Sequence, residues 1–458
     1  MPAHTLSRRS FGAALLGAVG LAVAGGCSSG SSSAASSSTT ATAGSGLFDA
    51  TQVHSITFTF DQDAYDKVID AYLNDQSKEW LEATVTIDGT TFEKAGLRLK
   101  GNSTLRGLTK TGATAGTGNN RGGGPGGSLS AEKPQDLPWL VRLDKYTDGQ
   151  ELGGYNEFVV RSNNTDSALN EAIALELLAV AGLATQKSVS TRLSVNGGSE
   201  VLRLIIENPA DKWDADNFAS AGILYKAESG GDYSYRGDDA DSYKDVFDQE
   251  TDTDNPNLAP LAAFLKFINQ SDDATFAADL SKHLDVAAFA NYLAFQELVK
   301  NTDDIDGPGN NSYLRYTTGK DQFTVVAWDH NLAFGGMGGG GGNRGGGGAP
   351  AGGGDQQQGQ PPAGAQGQTQ QNGGQGRRNG GGGPGGRSNI LVTRFNADKG
   401  FKASYDKALT DLKATMFTSG KAAAILQTRA AVLTAKASDL ISADTVTTEA
   451  EAIKANFT

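Results

Sequence analysis

The stretch FTVVAWDHNLAFG, residues 323–335, places a carboxylate where a core would reject it. An apolar β-type run from Phe323 to Trp328 ends in Asp329, and Gly335 follows shortly after. Burying a carboxylate costs several kcal/mol unless something pairs it, and a metal ion would pair it. Upstream, KNTDDIDGPGNN (300–311) gathers further oxygen donors: Asp303, Asp304, Asp306 and Asn311. The chain has one cysteine, Cys27, and four histidines, His4, His54, His283 and His330, so a Cys/His zinc site is not expected. Oxygen ligands suit Mg²⁺, Mn²⁺ or Ca²⁺. A calcium loop of the helix–loop–helix kind needs Glu at its twelfth position, and Tyr313 or Arg315 falls there instead.

The bulk composition narrows the partners. A formal charge of −13 and a pI near 4.9 argue against nonspecific binding to nucleic acid or to anionic lipid. A single cysteine excludes a disulfide framework. Glycine makes up 61 of 458 residues and is concentrated in patches, so the folded part is shorter than the chain.

The N-terminus reads as an address. SRRSF (7–11) precedes an apolar Gly/Ala-rich stretch that ends in AGGC at Cys27. The paired arginines resemble those of a twin-arginine export signal. The apolar stretch is too short for a membrane span. The small residues before Cys27 form a lipoprotein-type processing box, which makes Cys27 the lipidated first residue of the mature chain. A plain secretion signal cut near Ala24 is the alternative. Residues 1–27 are therefore expected to be signal and 28–46 a flexible Ser/Gly/Thr tether. The protein is expected at the extracellular face of the cell membrane, anchored through lipid only.

A globular region opens at Leu47. HSITFTF (54–60) alternates as a strand, and DAYDKVIDAYL (63–73) has helical spacing. Residues 81–101 read as two or three strands around an Asp88–Gly89 turn. Residues 138–146 form another strand, and 167–183 an amphipathic helix stopping at Gly182. A hairpin with an Asn-Gly-Gly turn covers 190–207, and 284–301 is helical. An acidic loop (303–309) leads to strands 311–316 and 322–328. Residues 111–130 and 335–388 are Gly-rich and cannot bury a core, so both are expected to be disordered. The remainder to Thr458 is helical. This order gives an α+β fold: a β-rich N-terminal lobe with one main helix, then a mainly helical lobe holding a strand-turn-strand unit.

Four blocks carry the chemistry together: RLKGNSTLR (98–106), PWLVRLDKYTDGQ (138–150), KNTDDIDGPGNNSYLRY (300–316) and VVAWDHNLAFG (325–335). In this order and spacing they resemble the spore coat protein H (CotH) family of secreted atypical protein kinases. That family has a Gly-Asn-Ser turn, a basic strand residue, a helix, and an Asn-x-Asp loop leading to Asn-Tyr-Tyr. Trp-Asp-x-Asn/Asp-x-x-Phe-Gly follows. The resemblance runs from about residue 54 to about residue 440 and implies a two-lobed, atypical protein-kinase-like fold. It also implies ATP with Mg²⁺ or Mn²⁺, and a secreted or cell-surface protein as phosphate acceptor.

The roles follow from the resemblance and from what phosphoryl transfer needs, which is positioning and charge neutralisation. Asp303 is the implied catalytic base, with Asp306 as the alternative. Asp329 and Asn311 are the implied metal ligands, and His330 a loop residue. Arg142 takes the place of the basic strand residue. Lys100 is the alternative phosphate contact, with Gly101, Asn102 and Ser103 forming the turn beside it. Glu171 or Glu176 orients the basic residue. They are five apart and face different ways, so only one can do so. Glu207 ends a strand at the inter-lobe connection, within reach of the adenosine. The competing readings are a pseudokinase used as a binding or adhesion module, and a calcium-stabilised surface protein.

Overall fold

The computed structural model describes residues 46–111, 129–228, 231–307, 310–335 and 389–458. The expected signal, nearly all of the tether and most of both Gly-rich stretches (112–128 and 336–388) lie outside the described residues.

Seven strands close a barrel where the sequence promised only a β-rich lobe. They are β1 (Val53–Thr59), β2 (Trp80–Ile87), β3 (Thr90–Leu99), β4 (Trp139–Arg142), β5 (Glu157–Val160), β6 (Ser188–Val195) and β7 (Val201–Glu207). Their order is β1-β2-β3-β4-β5-β7-β6, and parallel pairing of β1 with β6 closes the ring. The tight turns are where local chemistry puts them. Asp88 and Gly89 join β2 to β3 with φ of 48° and 84°, the left-handed pair that a two-residue hairpin requires. Asn196 and Gly197 do the same after β6, with φ of 48° and 73°. Both turns are also tied to β1: the Asp88 carboxylate accepts the Ser55 N–H at 2.8 Å, and Asn196 Oδ1 accepts the Phe60 N–H at 2.9 Å.

Strand alternation divides the apolar side chains between two cores. Trp139 and Val141 point into the barrel, while Leu140 between them points out. Phe158 and Val160 point in and Val159 out, and Ile205 points in between Leu204 and Ile206. Helix α1 (Gln62–Asp75) packs Tyr65, Val68, Ile69 and Tyr72 onto the barrel core.

Helix α2 (Leu169–Val180) corrects the expectation of an amphipathic helix. Nine of its twelve residues are buried, because it lies between the outer face of the barrel and the rest of the protein. It ends where expected, with Gly182 at φ 72° and its N–H donating to Ala179 O, the usual geometry of a glycine stop. The β-rich part therefore carries two helices, and the second belongs to the other core.

The remainder is mainly helical around a small sheet. In chain order it holds α3 (Asp211–Asn217), β8 (Gly222–Ala227), β9 (Phe247–Gln249), α4 (Ala259–Gln270), α5 (Asp273–His283) and α6 (Val286–Leu298). Then come β10 (Ser312–Thr317), β11 (Gln322–Ala327), α7 (Ile390–Ala397), α8 (Lys399–Leu412), α9 (Lys421–Lys436) and α10 (Ala443–Lys454). The expected strand-turn-strand unit is β10–β11, but it is half of a four-stranded antiparallel sheet ordered β11-β10-β8-β9. Arg315 in β10 is fully buried and pairs with Asp214 of α3 through Nε–Oδ1 at 2.7 Å and Nη2–Oδ2 at 3.1 Å. Gly222 makes room for it, since a Cβ there would meet the guanidinium at 2.5 Å. Among the described residues no helix is long and apolar enough to cross a membrane.

Candidate active site

A cleft of about 1310 Å³ runs between the barrel and the small sheet, and most of the residues singled out from sequence line it. From the barrel come Lys100, Gly101, Asn102, Ser103, Arg142 and Glu207; from the other wall come Asp303, Asn311, Trp328 and Asp329. Glu171, Glu176 and Asp306 are not among its lining residues.

The carboxylate of Asp329 has a partner, and it is a side chain. Arg161, one residue beyond β5, donates from Nη2 to Asp329 and from Nε to Glu171 Oε2, the latter at 3.0 Å. The strand end is thus paired by a guanidinium, where the sequence alone suggested a metal. Asp329 holds φ 59°, a left-handed conformation that Asp tolerates better than most residues, and this turns its side chain out of the strand line. Glu171 sits in the first turn of α2 and is almost wholly buried. Burial raises its carboxyl above the usual range, with Arg161 opposing. Burial works against the charge on Arg161 too, but Asp329 and Glu171 outweigh it and hold the guanidinium charged.

Glu171 and Glu176 diverge as their spacing requires: Glu176 pairs with Arg429 of α9, away from the cleft. Arg142, the basic strand residue chosen from sequence, lines the cleft but pairs with Asp144 at 2.9 Å and makes no ion pair with Glu171 or Asp329. Arg161, which sequence reasoning did not single out, is the arginine that meets both carboxylates. Its signal was available in EFVVRSNN: an apolar strand run ending in a charge, as in VVAWD.

The acidic loop sorts its members by direction. Asp303 faces the cleft, and its carbonyl accepts Asn311 Nδ2–H at 2.9 Å. Asp304 is largely buried, its carbonyl accepts the Asn311 N–H at 3.1 Å, and burial pushes its carboxyl up to about 6. Asp306 turns to the far side, where Oδ1 accepts the Asn389 N–H at 2.6 Å ahead of α7. The loop thus spends the carbonyls of Asp303 and Asp304 and the carboxylate of Asp304 on its own hydrogen bonds. Among the described residues, no group of three or more His, Cys, Asp or Glu is placed to hold a metal ion.

A cation that completes its shell with phosphate oxygens and water needs less from the protein. One carboxylate, Asp329, and one amide oxygen, that of Asn311, supply such a partial set. Asn311 commits its NH₂ group to Asp303, which leaves its oxygen as the free end of the amide. Glu171 Oε1 is buried with no hydrogen-bond partner, in keeping with a carboxyl that burial pushes up to about 7. The residues fit a Mg²⁺ or Mn²⁺ ion bound jointly with phosphates.

Toward the other end of the cleft, Lys100 Nζ donates to Asn208 Oδ1 at 2.7 Å, and Asn208 Nδ2 donates to Glu157 at 3.1 Å. Lys100 also lies 5.6 Å from the Trp328 ring centroid, with Arg161 at 6.0 Å from the same ring. Gly101 holds φ 113°, which explains glycine in the Lys-Gly-Asn-Ser turn, and Asn102 Oδ1 accepts Lys78 Nζ–H at 2.8 Å. Glu207 is buried and accepts from the Lys187 N–H at 2.6 Å and from Lys187 Nζ at 3.1 Å. His330 is fully buried, and its Nε2 accepts from Gln296 Nε2–H at 3.3 Å. It faces the core, not the cleft.

A family model described as CotH kinase protein matches residues 119–452, most of the chain. The chain belongs to the CotH kinase family. The matched segment contains Arg142, Arg161, Glu171, Glu207, Asp303, Asn311 and Asp329, and begins after the Lys100–Ser103 turn. Membership in this family implies a kinase-like activity using ATP and a divalent cation in general terms. Comparison with curated proteins gives no match.

The Lys100 environment yields a direct test. Burial lowers its amine from 10.5 to about 8, with Glu250 and Glu157 opposing. It is therefore neutral above about 8, well before an ordinary lysine. Acylation of Lys100 across pH 7–10, followed by mass spectrometry, is expected to reach half its limiting rate near pH 8. A midpoint coinciding with that of the exposed lysines contradicts the desolvated setting.

Proposed function

We propose that this CotH-family chain is an exported, lipid-anchored protein kinase with a two-lobed, atypical kinase-like fold. It transfers the γ-phosphate of ATP to Ser or Thr of secreted or cell-surface proteins. The single observation that carries the reading is the Arg161 bridge from Glu171 of α2 to Asp329, in the cleft that Asp303 and Asn311 also line. That arrangement supplies what phosphoryl transfer demands: a fixed cation, a metal carboxylate, and a second carboxylate at the place of the accepting hydroxyl.

In this reading the barrel and the helical part are the two lobes, and the segment after Glu207 connects them. Nine Lys and Arg against eight Asp and Glu line the cleft, in a chain whose overall charge is −13. The cleft is thus close to charge balance in an acidic protein, which repels a polyphosphate less than the rest of the surface does. Arg161, fixed by Glu171, is placed to meet the phosphates. Asn208, held by Lys100, presents the connecting segment to the nucleoside. Mg²⁺ or Mn²⁺ held by Asp329 and Asn311 would neutralise charge on the phosphates. Asp303 takes the proton of the Ser or Thr hydroxyl as its oxygen bonds to the γ-phosphorus. The bond from that phosphorus to the β-bridging oxygen breaks, ADP leaves, and the phosphoester remains.

Asp329→Ala tests the metal role. It leaves Arg161 paired with Glu171 as a neutral couple, so melting without ligand is expected within a few degrees of wild type. The stabilisation by ATP with Mn²⁺, which scales as RT ln(1 + [L]/Kd), is expected to vanish together with self-labelling. Asp303→Ala is expected to keep that stabilisation and lose transfer, because a base acts in the reaction and not in binding. Full ATP-dependent stabilisation in Asp329→Ala contradicts the assignment, and stabilisation of wild type without any transfer selects the binding-module reading. The anchor is tested separately: Cys27→Ser is expected to move the protein from the membrane fraction to the medium, and retention on membranes contradicts lipidation at Cys27.

A further inference from the structure

Helix α10 lies outside the cleft, yet it touches both elements that hold the Arg161 bridge. On one side is α2. Its N-cap residue, Ala168, has φ 52° and makes no side-chain cap bond. The first amides of that end are capped locally, Leu169 N–H by Ser167 Oγ at 3.2 Å and Ala168 N–H by Thr165 Oγ1 at 3.1 Å, and a carboxylate from another helix holds the capping residue itself: Glu449 of α10 accepts the Asp166 N–H at 2.9 Å, the Ser167 N–H at 3.1 Å, and the Ser167 hydroxyl. A negative charge at this end of α2 also complements the helix dipole. Glu171 is one turn further along the same helix. So is Asn170, whose Nδ2–H donates to Asn331 O at 2.6 Å, two residues beyond Asp329.

On the other side is the Ala333–Gly335 turn that ends the Trp-Asp-His-Asn segment. Past the end of α10, Asn456 Nδ2 donates to Phe334 O at 3.4 Å. The Phe457 ring meets the Phe334 ring edge-on at 5.7 Å and stacks on Phe417 at 5.1 Å. Phe334 needs such support, since it sits at φ 57°, a strained conformation for an aromatic residue that persists only where surrounding contacts fix it.

We infer that Glu449 is a positioning residue for the Arg161 bridge. With the last residues of the chain, it fixes the start of α2, and so Glu171, relative to the segment that bears Asp329. This inference rests on the proposed nucleotide site, and it adds a residue that touches neither nucleotide nor metal. The physical reason is leverage. The Glu171–Arg161–Asp329 contact joins two separate elements across the cleft, and α10 is bonded to both of them from behind.

The test uses the full mature chain and compares Glu449→Ala with Val446→Ala. Val446 is a buried α10 residue, so its truncation loosens α10 by packing alone while leaving the Glu449 contacts in place. Two readings are taken: the affinity for ATP with Mn²⁺, and hydrogen exchange of the Asn331–Gly335 amides without ligand. Glu449→Ala is expected to weaken ATP–Mn²⁺ binding by about fivefold or more, within the range of remote coupling effects. It is also expected to speed exchange at Asn331–Gly335. Val446→Ala is expected to lower melting while leaving both readings near wild type. Should the alanine variant fail to fold, Glu449→Gln, which keeps one acceptor oxygen, gives the same comparison. If Glu449 and Val446 variants of matched melting temperature are indistinguishable in both readings, Glu449 only stabilises α10 and the inference fails. If wild type binds no ATP–Mn²⁺, the kinase reading fails instead, and the exchange comparison still decides the coupling.

Discussion

One guanidinium held between two carboxylates organises this protein. Arg161 stands at the end of β5, Glu171 in the first turn of α2, and Asp329 just after β11, so a single side chain ties barrel, helix and small sheet together. Arg161 is the costly member to remove, since its loss leaves the buried Glu171 carboxylate unpaired, at about 3–5 kcal/mol.

The rest of the fold serves that contact. The barrel provides a rigid strand end for Arg161, because closure by β1 and β6 leaves β5 paired on both sides, by β4 and β7. Helix α2 is buried nearly all round, so Glu171 cannot drift without moving a core. Asp329 is displaced from its strand by a left-handed residue, and the loop after it is held by Asn170, Asn164 and the C-terminal residues. The acidic loop is locked through its own carbonyls, which presents Asp303 while retiring Asp304 and Asp306 from the cleft.

The sequence made the oxygen donors legible because their surroundings are chemically odd: Asp329 after an apolar run, Asp303 and Asn311 in a loop between a helix and a strand. Turn chemistry at Asp88–Gly89 and Asn196–Gly197 was readable for the same local reason. Barrel closure was not, because it depends on pairing β1 with β6, segments far apart in the chain with no mutual signal. Strand β5 is short and its outward Val159 is buried by another element, so the polar alternation that marks an exposed strand is missing. Helix α2 read as amphipathic from its spacing, but Glu171 and Glu176 face different ways and each is satisfied by a different arginine, so neither marks a wet face. Arg142 drew attention over Arg161 because it sits inside a strand. What distinguishes them is which carboxylates they meet, and only the folded chain decides that.

The central claim is that Arg161 and Glu171 act on the nucleotide site as one unit with Asp329. Calorimetric titration of ATP with Mn²⁺ into wild type, Arg161→Met, Glu171→Gln and the double variant measures this directly. The account predicts that each single change weakens binding, and that the double variant is no weaker than the worse single, a coupling of about 1 kcal/mol or more. Additive losses, or an Arg161→Met protein that binds as tightly as wild type, contradict it.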